Sequence, residues 1–88
     1  MARVEIASLE DGAPGEVNAS EDAFLQLGMM YSTGSSVPAD YVAAHKWFNL
    51  AAMRGNKEAI RLRREIAEQM SEEEIAAAQR AARAWLQH

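Results

Sequence analysis

The sequence predicts an all-α domain made of two antiparallel helical hairpins. Three observations carry that expectation. Apolar residues recur with a helical period in four successive segments. Capping residues stand at the segment boundaries. The links between segments are short, which makes neighbouring helices antiparallel. The chain has 88 residues, 49% of them hydrophobic and 25% charged, which suits one small folded domain. Cysteine is absent, so the core has to come from packing without a disulfide or thiolate-bound metal.

The first helical segment starts near Asn18, with Asn18 and Ser20 as N-cap candidates and Glu21 three residues after Asn18. Its expected inward stripe is Ala23, Leu27 and Met30, with Phe24 and Tyr31 alongside. Gly34 ends it, because glycine takes the left-handed conformation that closes a helix. Pro38 is expected at the first position of the second helix, with Asp40 in its first turn. The second stripe is Tyr41, Ala44, Trp47/Phe48, Ala51 and Ala52, closed by Arg54 and Gly55. Asn56 caps a third helix whose face is Ala59, Leu62, Ile66 and Met70. Ser71 with Glu74 forms a capping box for the fourth, which carries Ile75, Ala78, Ala82 and Trp85/Leu86.

The net charge of -4 is unevenly placed. Residues 1–22 hold six acids and one base, whereas 23–88 hold seven acids and eight bases. The division is therefore an acidic, flexible arm over 1–19 and a helical domain over 20–88. Within the arm, Val4 and Ile6 flank Glu5 as in a short edge strand, ahead of a turn cluster at Glu10–Gly15. No concentrated basic face is present, which argues against nucleic acid as a partner. No run of apolar residues is long enough to span a bilayer. A secretory signal pattern is missing from the first twenty residues. The expected location is the cytoplasm, or the periplasm or exterior if a signal has been removed.

Two echoes suggest an internal repeat. Ala23 and Ala59 lie 36 residues apart, and Ala44–Phe48 echoes Ala82–Leu86 at a spacing of 38. The first hairpin carries the fuller pattern: Ala23, Leu27, Gly28, Tyr31, Gly34, Val37, Asp40, Ala44, Trp47, Ala51, Ala52, Gly55 and Ala59. These thirteen positions, covering 23–59, closely resemble a Sel-one-like repeat (SLR), a relative of the tetratricopeptide repeat. Gly28 is expected to let two helices touch, against the small faces of Ala44, Ala51 and Ala52, with Tyr31 and Trp47 filling the surrounding space. The family's loop usually has a second glycine where this chain has Ser36, which implies a different path or local strain there. Arg63 and Arg64 replace the Leu-Gly pair that a second full repeat would carry. The resemblance thus implies one full repeat over 20–55 and a charge-laced capping hairpin over 56–88.

Reactive constellations are not apparent. His45 has no second histidine or acidic cluster at metal spacing and reads as a partly exposed helix residue. His88 is terminal and expected to fray. Ser35 and Ser36 lack a paired base. Glu72, Glu73 and Glu74 read as an acidic first turn, and Arg61, Arg63 and Arg64 read as an ion-paired face with Glu58, Glu65 and Glu68. No catalytic, metal-binding or cofactor-binding residue is assigned, and no cofactor is expected.

The resemblance implies a bacterial protein-interaction module or adaptor rather than an enzyme. By likeness to tetratricopeptide arrays, the first helix lines the binding groove, so Gln26, Met29, Met30 and Thr33 are the partner-facing candidates, with Arg63 joining from the third helix. Met29 lies off the expected stripe, and exposed methionines make adaptable contacts. The alternatives are self-association as a structural protein, a fragment of a longer array, and, more remotely, a hydrolase.

Overall fold

Four helices account for the described residues: α1 (Pro14–Thr33), α2 (Tyr41–Met53), α3 (Lys57–Ala67) and α4 (Glu72–Leu86). The computed structural model describes residues 14–87, with burial resolved from residue 22 onward. The expected edge strand at Val4–Ile6, the arm up to residue 13 and His88 lie outside the described residues. The chain is all-helical there, a tetratricopeptide-like pair of hairpins in which α1, α3 and α4 each pack on α2.

Helix boundaries follow local chemistry. Helix α1 begins at Pro14, so neither Asn18 nor Ser20 caps it. Proline suits a first helical position because its missing N–H has no partner to lose there. The α1 C-terminus ends as expected, with Gly34 at φ 77° and its N–H donating to the Met30 carbonyl at 2.9 Å. Helix α2 starts at Tyr41, three residues later than Pro38 suggested. Asp40 is its N-cap rather than a first-turn residue, and its carboxylate accepts from the Ala43 N–H at 3.1 Å. The Asp40 N–H in turn donates to the Tyr31 carbonyl at 2.9 Å, which ties the end of α1 to the start of α2. Asn56 caps α3 through the Ala59 N–H at 2.8 Å, and Ser71 with Glu74 completes the capping box on α4.

The core differs from the expected stripes in two places. On α1 the buried residues are Phe24 and Gly28, with Leu25 and Tyr31 partly buried. Ala23 is exposed, while Leu27 and Met30 are only half-buried. The helix is thus rotated by about one position from the anticipated stripe, because Phe24 joins an aromatic cluster worth more than an alanine contact. Phe24 stacks on Trp47 at 5.6 Å between ring centroids, and Trp85 meets both edge-on at 5.2 and 5.8 Å. On α2, Leu50 and His45 are buried in addition to Ala44, Phe48 and Ala51. A helix contacted by three others cannot keep a single apolar stripe.

Gly28 has a partner that spacing did not identify. A Cβ built there would lie 2.5 Å from Cε1 and 3.0 Å from Cγ of Phe48, rather than against the α2 alanines. Phe48 is 1% exposed and packs with Ala44 and Ile66, so its ring has little room to retreat. The charge-laced α3 surface is held by Arg61, which bridges Glu58 and Glu65 on neighbouring turns. Such exposed pairs add little to stability, because water and salt screen them.

Two measurements check this packing. Gly28→Ala should lower stability by about 1 kcal/mol, although helix propensity alone would raise it by a similar amount. Adding Phe48→Leu should recover part of that loss in a denaturation cycle, and simple additivity would show that the two sites do not touch. Ser36, at φ 74°, occupies backbone space that favours glycine. Ser36→Gly should therefore raise the unfolding free energy by about 1 kcal/mol, with no change in helical signal.

Candidate interaction surface

The outward side of α1 follows from what its inward side buries. With Phe24, Gly28 and Tyr31 turned toward α2, the intervening positions Gln26, Met29 and Thr33 face solvent and Met30 is half-buried beside them. Met29 is 47% exposed, a large apolar side chain about half open to solvent. The Thr33 hydroxyl donates to the Met29 carbonyl at 2.8 Å and lies 3.0 Å from the Ser35 hydroxyl. That bond folds the Thr33 side chain back onto the preceding turn of the helix. Four of the five candidates thus share α1. The fifth, Arg63, is half-buried on α3 and donates from Nη1 to Asn49 Oδ1 on α2 at 2.6 Å, so its guanidinium is partly committed within the fold.

His45 corrects another expectation. It is 4% exposed rather than partly open, and Nδ1 has no hydrogen-bond partner among the described residues. Burial first, and the charge of Arg63 second, lower its pKa from the ordinary 6.5, opposed in part by its own nearby backbone. A buried neutral imidazole of this kind is a packing residue with a polar atom left over, not a placed general base. Among the described residues, no group of three or more His, Cys, Asp or Glu side chains could hold a metal ion. No helix there is long and apolar enough to cross a membrane.

A concave feature lies at the end where α2 and α4 begin, and the sequence reading did not single it out. A cleft of about 610 Å³ is lined by Tyr31, Pro38, Asp40, Tyr41, Val42 and Glu74, among others. In the sequence Asp40 was legible only as a first-turn residue and Glu74 only as half of a capping box, because nothing in their spacing placed them on one cleft. The Tyr41 hydroxyl donates to Gln69 Oε1 at 3.3 Å, which steadies that wall. The opposite end is aromatic and cationic. Lys46 Nζ stands 4.4 Å from the Trp47 ring centre, and Arg54 lies 5.4 Å from that of Phe24. Trp85 and Leu86 remain 38% and 42% exposed there.

Short-linked helices, a glycine at the α1–α2 crossing and left-handed glycines after α1 and α2 define an α/α helical repeat. A family model described as Sel1 repeat matches residues 22–56, which span the second half of α1, the loop and all of α2. Residues 22–56 of the chain thus carry a Sel1-like repeat. No curated protein and no solved structure is significantly similar to it.

The lowered His45 pKa sets the sign of a pH dependence. Above the unfolded-state pKa near 6.5 both states are neutral at this residue and stability is intact. As pH falls through that value, the unfolded chain takes up the proton first and stability declines. The thermal midpoint should drop between pH 7.5 and 5.5, conditions chosen to span roughly one unit on either side of the free histidine value. His45→Leu should flatten the slope over that window, and an equally steep slope in the variant would remove His45 as its source.

Proposed function

We propose that this chain is an adaptor that binds a protein partner through the exposed side of α1, with Gln26, Met29, Met30 and Thr33 at the centre and Arg63 at a polar margin. Sel1 repeats are helical protein-interaction modules, which supports the general class. The observation that carries the finer reading is Met29. It is large, flexible and almost half-exposed on a helix whose opposite side already supplies the packing. A thioether on an unbranched stem adapts to varied apolar shapes, so a partner helix can bury it without demanding one rigid fit. Gln26 and Thr33 flank it with groups able to hydrogen-bond at the rim. Catalysis has no place in this reading, because binding through an adaptable apolar contact needs no activated nucleophile or tuned acid–base pair.

Met29→Asp should reduce partner binding by more than about tenfold, because a carboxylate would be desolvated at the contact. Helical content and thermal midpoint should stay at the parent values, since Met29 packs little in the free chain. Retained binding to a purified partner would overturn the assignment of this surface. Loss of the fold would show instead that Met29 is a packing residue.

A further inference from the structure

We infer that the cleft between the start of α2 and the start of α4 is a binding site for a cationic side chain, arginine or lysine, carried by a segment of a protein partner. The inference rests on the reading of this chain as a protein-binding module and adds a second contact point to it. The cleft is concave and about 610 Å³, inside the range of about 300–1,000 Å³ typical of ligand sites. Its walls combine two phenol rings, Tyr31 and Tyr41, with the apolar Pro38 and Val42 and the carboxylates of Asp40 and Glu74.

Charge selects the occupant. Among the described residues, no lysine or arginine lines the cleft. Each carboxylate uses one oxygen for capping: Asp40 Oδ1 accepts from Ala43, and Glu74 Oε1 accepts from the Ser71 N–H at 2.9 Å. The second oxygen of each remains for a ligand. Among the described residues, the ion pairs join Arg61 to Glu58 and Glu65, and neither Asp40 nor Glu74 has a cationic partner. The two helix N-termini here favour an anion, but each contributes only about half a positive charge. Asp40 and Glu74 each carry a full negative charge, and Glu72 and Glu73 add to the field from the same first turn of α4. The balance is negative. A guanidinium or ammonium fits it best, with its methylene stem along Pro38 and Val42 and its charge able to face a phenol ring.

The test uses the full chain and capped tripeptides with one variable residue between two leucines: arginine, lysine, neutral citrulline or glutamate. Backbone amide shifts are followed by NMR at low salt. Arginine and lysine peptides should give saturable shifts at Tyr31, Tyr41, Val42 and Glu74, while citrulline and glutamate peptides should bind at least about tenfold more weakly. The Asp40→Asn/Glu74→Gln double variant keeps groups able to cap both helices and should lose the preference for arginine over citrulline. Its circular dichroism should match the parent. Equal shifts with arginine and citrulline, shifts mapping elsewhere, or no saturable shift would each overturn the cleft assignment. If the double variant fails to fold, the peptide series on the parent chain still decides the matter. Because Met29 lies outside this cleft, a failed cleft test leaves the Met29→Asp result intact as the separate check on the α1 surface.

Discussion

The crossing of Gly28 and Phe48 is the contact on which the rest of the fold is arranged. An almost fully buried ring occupies the space that a Cβ on α1 would fill. That lets α1 approach α2 closely, and the same ring is packed by Ile66 from α3. One side chain therefore transmits the position of the first hairpin to the second. Burying a phenylalanine contributes about 2–3 kcal/mol, a large share for a domain this small. Enlarging the glycine or truncating the ring acts on both hairpins together.

A hub helix has consequences for composition. Helix α2 is Tyr-Val-Ala-Ala-His-Lys-Trp-Phe-Asn-Leu-Ala-Ala-Met, with buried alanines set alongside the large buried residues Phe48 and Leu50. Ala44 and Ala51 are fully buried on it, and Ala59, Ala78 and Ala82 take similar positions on the helices packed around it. Small residues draw the helices together but bury little area each. The aromatic trio Phe24, Trp47 and Trp85 offsets that deficit at one end, joining α1, α2 and α4. His45 is the position where the crowding shows. It lies on a helix that is contacted from three sides, so burial falls on a residue with a polar atom to satisfy.

How far the sequence disclosed this arrangement depends on the kind of signal. Caps read well because they are local: Asn56 and Ser71 with Glu74 need only a few neighbouring residues to identify. The order of four helices read well for the same reason. Asp40 was misplaced by one structural role, since proline and aspartate can both open a helix and the tie from Asp40 to Tyr31 is not visible in spacing. Rotation of α1 was missed because Phe24 and Ala23 are adjacent, and only the positions of Trp47 and Trp85 decide which of them turns inward. Burial of His45 and the placing of Arg63 on Asn49 depend on α3 lying against α2, a long-range fact. The exposed side of α1 was legible as leftover positions, whereas the cleft required three separate segments to meet.

Parallel alignment of α2 and α4 gives the molecule two chemically different ends. It follows from two contacts: Glu74, in the first turn of α4, shares a cleft with the start of α2, and Trp85, in the last turn, meets Trp47. Helix N-termini attract acids and C-termini attract bases, so capping alone sorts the charges. Asp40 and the glutamates of α4 gather at one end, while Arg54 and the aromatic rings gather at the other. The sorting arises from helix stability, but it does not stop there. Once two helices run parallel, their caps add to one another across the surface, and residues chosen for folding create a polarised exterior. If the chain binds as proposed, that exterior would orient an approaching charged partner before any close contact forms. The same carboxylates that hold the helix ends in place would, on that proposal, also bias which way round a partner docks.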